Sequence, residues 1–184
     1  MQTQNYLSFK AKYITYTNIK NTSTSPNQLQ KVDVIELIPS DDNDLETMYS
    51  VSKSWRQNIS SALYKSFISS KPYLKEHYYA LSLPQDTYDK SNPDNILGVC
   101  LISERDNNIM NLDFLQTNPK YMYSNKTLKN YQKIGTTLLN FLKEQYNFKK
   151  IRVISLEDAK EFYRKNDFIP LGKDYDNPCM MWNI

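Results

Sequence analysis

The chain has 184 residues, 40% hydrophobic and 23% charged, with a formal net charge of +3. That length fits a single domain, and a pI of about 8.6 admits a phosphate-bearing ligand without demanding nucleic acid, which calls for a higher pI and clustered Lys/Arg. A membrane span, a secretory signal and a metal site are not expected: no long apolar run exists, no basic head precedes an apolar stretch, and the two cysteines, Cys100 and Cys179, lack metal-ligand spacing. A reducing, cytoplasmic setting follows as the default.

In chain order, "YLSFKAKYITY" (residues 6–16) alternates apolar with polar residues and predicts a strand. "KNTSTSPNQLQ" supplies turn residues, and "KVDVIELIP" predicts a second strand, ended by Pro39. Ser40 is a candidate cap for a helix whose acidic first turn suits its positive end. Leu45, Met48, Val51 or Ser52, and Trp55 mark its buried stripe. A second helix runs over Ile59–Ser69, with Leu63 and Phe67 on the stripe. "HYYALSL" is a strand, and "PQDTYDKSNPDN" a loop. "NILGVCLISE" and "NIMNLDFLQT" form a hairpin through "RDNN". "NPKYMYSNKTLKN" has no clear period. Tyr131–Tyr146 is helical, with Ile134, Leu138, Leu142 and Tyr146 four apart. A strand ("KKIRVISL"), a short helix ("EDAKEFYRKN") and two strands ("DFIPL", "PCMMWNI") follow. No repeat and no linker divides the chain.

One of only three glycines, Gly135, sits at the mouth of the Tyr131–Tyr146 helix. Glycine costs roughly 1 kcal/mol against alanine in a helix interior. A helix N-terminus offers unpaired amides and the positive dipole end, and a missing side chain lets an anion approach. The alternative is a strand-to-helix turn that needs positive φ.

"QKIGTT" (Gln132–Thr137) resembles the Arg/Gln-x-x-Gly-x-Gly/Ala signature of the GCN5-related N-acetyltransferases. "NLDFLQTNP" is similar to that family's central strand, with Leu115, Thr117 and Pro119 in the places of Leu-x-Val-x-Pro. "LEDAKEFYRKNDF" resembles its Ala-x-x-Phe-Tyr-x-Lys-x-Gly-Phe segment through Ala159, Phe162, Tyr163, Lys165 and Phe168. Gly98 occupies a strand position where members often carry glycine. The likeness covers about residues 31–184, with its core from Gly98 to Phe168. Four features depart from it: Thr137 for a glycine or alanine, Asp167 for a glycine, Leu156 for an asparagine, and about ten extra residues after Pro119.

The resemblance implies an α/β (α+β) fold, with a mixed, mostly antiparallel central sheet flanked by helices and splayed at its central strands. It implies one domain over 1–184, with an additional N-terminal strand segment at about 1–30. It also implies acetyl transfer from acetyl-CoA, as co-substrate and without a metal, to an amine of a small molecule or peptide by direct attack. Backbone groups of Leu115, Gln116 and Thr117 would meet the pantetheine arm. Gln132, Lys133, Ile134, Gly135, Thr136 and Thr137 would hold the pyrophosphate, with Tyr163 also at the cofactor. Lys126, Lys129 and Lys133 are either nucleotide-phosphate contacts or solvated lysines.

A phenol with an unperturbed pKa near ~10 can protonate the leaving thiolate, which suits Tyr163 as acid; the alternative is a ring packed under the sheet. Asp113 is the candidate base or amine anchor, placed by strand alternation on one face with Asn111, Leu115 and Thr117; the alternative is a solvated strand carboxylate. Glu36 and Glu104 are weaker candidates. His77, the only histidine, has no second histidine or adjacent nucleophile to form a triad with, and Cys179 reads as a buried strand residue. A tRNA- or protein-directed transferase and a non-catalytic acyl-CoA-binding module stand as alternatives. No nucleic-acid partner and no membrane is expected, and a homodimer is allowed.

Overall fold

A computed structural model describes residues 12–22, 28–55, 58–84, 92–106, 109–122, 131–145, 150–174 and 177–183. In chain order these hold β1 (Lys12–Asn21), β2 (Gln28–Leu37), α1 (Asp42–Trp55), α2 (Asn58–Ser69), β3 (Glu76–Ser82), β4 (Ile96–Asp106), β5 (Ile109–Thr117) and β6 (Tyr131–Gln132). Then come α3 (Ile134–Gln145), β7 (Lys150–Ile154), α4 (Lys160–Arg164), β8 (Ile169–Asp174) and β9 (Asn177–Asn183). The strands form one sheet in the order β6-β1-β2-β3-β4-β5-β7-β9-β8. Every neighbouring pair is antiparallel except β5 with β7. This is the mixed, mostly antiparallel sheet with flanking helices that the sequence implies.

Side-chain alternation gives the sheet two apolar faces. Ile35, Leu37, Tyr78, Ala80, Val99 and Leu101 lie under Met48, Val51 and Trp55 of α1 and Leu63 and Phe67 of α2. Val32, Val34, Tyr79, Leu81, Cys100, Ile102, Met110 and Leu112 lie under Ile134, Leu138, Phe141 and Leu142 of α3 and Tyr163 of α4. The central strands are therefore buried on both sides, and their sequences run almost continuously apolar.

Several boundaries move. The first strand is Lys12–Asn21, not 6–16, and residues 6–11 lie outside the described residues. The same loose Tyr/Ile alternation runs through both spans, so the pattern alone does not fix the start. Asp41, not Ser40, caps α1: its Oδ1 accepts from the amides of Asn43 (3.1 Å) and Asp44 (3.2 Å). The third helix begins at Ile134, because Tyr131 and Gln132 pair with Asn21 and Lys20 as β6. Tyr146 lies outside the described residues.

Candidate active site

The parallel pair β5/β7 runs only from Ile109↔Lys150 to Leu112↔Val153. Beyond it, β5 keeps its partner β4 as far as Thr117↔Gly98, while Ile154 of β7 pairs with Cys179 of β9. The two strands thus part after Leu112 and Val153 and open a wedge in the sheet. This is the expected splay.

A bulge sits at the same point. Leu101 pairs with Phe114 and Ile102 with Leu112, so Asp113 is an extra residue on β5. The bulge corrects the sequence reading of Asp113. Leu112 and Leu115 pack with the α3-side core, whereas Phe114 packs with the α1/α2-side core. Asp113 turns to the α1/α2 face, where Ser103 Oγ donates to its Oδ2 at 2.5 Å. It therefore does not share a face with Leu115 and Thr117, which pair with Cys100 and Gly98. Asn111, the register partner of Ser103, does lie on the Asp113 side.

On the opposite face, α3 brings its N-terminus to the end of β5. Lys133 adopts a left-handed φ of 60° immediately before the helix. Its carbonyl accepts the Thr137 amide at 2.8 Å and the Thr137 Oγ1 at 2.9 Å. The amides of Ile134, Gly135 and Thr136 fall in the first turn, where no helical carbonyl reaches them. Thr137, the departure from the second glycine, turns its hydroxyl back onto its own helix.

Two glycines let these elements close up. A Cβ at Gly98 would stand 2.8 Å from Ile134 Cγ2 and 3.1 Å from Leu138 Cδ1. At Gly135 it would meet Phe162 Cζ at 3.0 Å, with Thr117 Oγ1 at 3.7 Å. Gly135 has no positive φ; that conformation belongs to Lys133. Neither sequence reading of Gly135 is the whole reason: the missing side chain makes room for the Phe162 ring, which holds α4 against the helix mouth.

Tyr163 of α4 is 6% exposed and belongs to the same core as Cys100 and Leu115. Its ring stands edge-on to Phe162 at 5.1 Å and to Phe168 at 5.3 Å. Burial, with a smaller contribution from Cys100, raises the phenol above its ordinary pKa, so it holds its proton at neutral pH. Burial also pushes the Cys100 thiol up to about 12, so it is no nucleophile there. Asp167 takes the left-handed φ of 67° that its glycine-like position demands. The Phe168 amide then returns to the Tyr163 carbonyl at 3.1 Å. Lys143 of α3 ties down this end by donating to the Asn166 carbonyl at 2.8 Å. Leu156 is 58% exposed.

On the α1/α2 face, a cavity of about 580 Å³ is lined by Ser66 of α2, the Tyr73–Leu74 turn, Leu101, Ser103, Asp113 and Phe114, with Glu76 and Glu104. A smaller space of about 150 Å³ lies between β5 and β7, against Asn111, Asp113, Arg152 and Ile154. Asp113 lines both, so its carboxylate stands between the larger cavity and the wedge.

The weaker carboxylates separate. Glu36 lies on β2, with three strand-to-strand steps between it and β5. It accepts from His77 Nδ1 at 2.7 Å, and this contact outweighs burial to hold its carboxyl below the usual range. Glu104 lines the cavity but is ion-paired to Lys75 at 3.0 Å. His77 is thus engaged by Glu36, and buried Cys179 accepts from Arg152 Nε at 3.4 Å. Lys126 and Lys129 lie outside the described residues. Sequence reasoning missed Ser103, whose only signal is its place two residues after Leu101 on a core strand. It also missed Asn118, whose buried side chain donates to the Ile96 carbonyl at 2.9 Å and fixes the end of β5.

No protein-family model matches the sequence, and no curated protein matches it either. Solved structures do match. The PaiA N-acetyltransferase of Thermoplasma acidophilum, in complex with coenzyme A, is 17% identical over 83% of this chain and 99% of its own, with a TM-score of 0.56. A GNAT-family acetyltransferase of Staphylococcus aureus is 18% identical over 83% and 98%, also with a TM-score of 0.56. Tetrahymena GCN5 is 13% identical over 81% and 95%, with a TM-score of 0.53. The chain has the fold of the GCN5-related N-acetyltransferases.

Proposed function

We propose that the protein is an acetyl-CoA-dependent N-acetyltransferase of the GCN5-related superfamily, acting on a primary amine by direct attack. One observation carries this reading: the parted β5/β7 pair lies between open amides and a buried phenol on one face and a carboxylate-lined cavity on the other. The amides of Ile134, Gly135 and Thr136, at the positive end of α3, suit a pyrophosphate. The stretch of β5 beyond its pairing with β7, from Leu115 to Thr117, would present backbone groups to a pantetheine arm. Gln132, Lys133 and Thr137 frame the same mouth. Bound there, acetyl-CoA supplies an acyl group on a good thiolate leaving group.

Tyr163, protonated at neutral pH, gives its proton to the departing sulfur. Asp113, at the bulge, attracts the incoming ammonium and takes its proton, directly or through one water. Its turn to the α1/α2 face is compatible with that role, since donor and acceptor would reach the wedge from opposite faces of the sheet. The carboxylates around the cavity favour an amine acceptor over a phosphate-bearing one such as tRNA.

The direct test is acetyl-CoA-dependent release of free thiol in the presence of a panel of primary amines, with the N-acetyl product identified by mass spectrometry. Thiol release that depends on the amine supports the reading. Acetyl-CoA binding without transfer to any amine or lysine peptide would favour a non-catalytic acyl-CoA-binding module instead.

A further inference from the structure

The cavity on the α1/α2 face has an order across the strands that singles out one kind of amine. Ser103 is the register partner of Glu76 on β3, and the same Ser103 hydroxyl holds Asp113 on β5. Glu76, Ser103 and Asp113 therefore form a diagonal across three neighbouring strands, with Asp113 at the bulge two residues beyond Asn111, the register partner of Ser103. Strands lie ~4.8 Å apart, so the two carboxylates are rooted on strands roughly 10 Å apart. Tyr78 Oη donates to Glu76 Oε2 at 2.9 Å and fixes the far carboxylate. The floor beside the diagonal is apolar: Leu101 and Phe114 are themselves a cross-strand pair, and Leu74 stands at the wall. Glu104, the third carboxylate of the lining, is taken up by Lys75 at 3.0 Å.

We propose that the acceptor is a small aliphatic diamine, its reacting amine at Asp113, its second ammonium at Glu76 and its methylenes over Leu101 and Phe114. This rests on the acyl-transfer reading above and specifies its substrate. Allowing for the inward reach of both side chains, a linker of about four to six methylenes spans the gap at ~1.25 Å per bond along the chain axis. At about 580 Å³ the cavity is of ordinary size for a small-molecule site.

In the transfer, a carbon–nitrogen bond to the acetyl carbon forms and the carbon–sulfur bond breaks. Of the two protons lost by the reacting ammonium, one passes to Asp113 and then to water. The other balances the proton that Tyr163 gives to sulfur. The product keeps a single positive charge, at the Glu76 end, and the charge that Asp113 attracted is gone, which favours release.

The test measures thiol release with acetyl-CoA and two acceptors of equal length, 1,5-diaminopentane and pentylamine. The diamine should have about tenfold or more higher kcat/KM, the worth of one charged hydrogen bond that the monoamine cannot make. Glu76→Gln, which can still accept from Tyr78, should bring the ratio of the two close to one. Glu76→Asp should restore part of it. Thermal melts with acetyl-CoA establish that each variant folds and binds the acyl donor. Equal use of both acceptors by the wild type overturns the proposal, as does an unchanged ratio in Glu76→Gln or a lysine peptide preferred to the diamine. If neither amine is acetylated while acetyl-CoA still stabilises the protein, the diamine proposal fails and the cofactor reading survives. If acetyl-CoA does not bind, the reading beneath it fails as well.

Discussion

Gly98 offers a sharp test of how the wedge is held open beside α3. Alanine there would bring a methyl 2.8 Å from Ile134 Cγ2, 3.1 Å from Leu138 Cδ1 and 3.3 Å from the Gln116 carbonyl oxygen. The last of these is backbone and cannot turn aside. Overpacking of this kind costs about 1–3 kcal/mol, offset by the ~0.5–1 kcal/mol gained when glycine leaves a strand interior. The net loss expected is about 0.5–2 kcal/mol. For a domain of this size that is roughly a 1–8 °C fall in Tm. Ile134→Ala, at a side chain 3% exposed, should alone cost about 2–5 kcal/mol. In the double variant the new methyl fills part of the space that Ile134 vacates. Its loss should then be smaller than the sum of the two singles by about 1 kcal/mol or more. Urea denaturation of the four proteins measures this, provided m is constant. Additivity within ~0.5 kcal/mol, or a Gly98→Ala variant as stable as the wild type, would refute the close approach of α3 to β4.

Three further outcomes are expected. Tyr163→Phe deletes only the phenol proton source and should lower turnover by about 10²–10⁴-fold, with acetyl-CoA affinity nearly kept; an equally active variant would place Tyr163 in the core alone. Asp113→Asn should lower amine turnover and recover part of it at high pH, where free amine is abundant, while acetyl-CoA binding is unaffected. A rate profile that does not change its shape with pH would remove Asp113 as the base. Stability should fall in alkali. Burial raises Tyr78 and Tyr121 from the ordinary 10 to about 12, so their protonated forms favour the fold fully below pH 10. That contribution is lost as pH rises from 10 through 12. A Tm that stays flat up to pH 12 would contradict this burial.

The helices were legible because their stripes are strong: Leu45, Met48 and Trp55, then Leu63 and Phe67, then Ile134, Leu138 and Leu142. All of these except Leu45, which packs against its cluster half-buried, are core residues. The β4/β5 hairpin was legible from its two apolar runs. The face of Asp113 was not, because a period of two carries no mark of a bulge, and one extra residue reverses which residues share a side. The reason for Gly135 was equally hidden. Its neighbour Phe162 belongs to α4, and only the fold brings the ring to 3.0 Å from a would-be Cβ. Likewise, β6 is two residues long and exists because β1 lies beside it, which no local pattern announces. The alternation that placed β1 at 6–16 continues past Tyr16, so its register came from β2.

The central claim is that the mouth of α3 holds acetyl-CoA, and a thermal melt of the protein with and without that ligand tests it most directly. At a ligand concentration 100 times Kd, binding should add about 2.7 kcal/mol, or roughly 5–11 °C in Tm. Gly135→Val should lose most of that increment, because its side chain displaces Phe162 and crowds the open amides. No shift with wild-type protein at millimolar acetyl-CoA, together with no heat of binding by calorimetry, would contradict the claim.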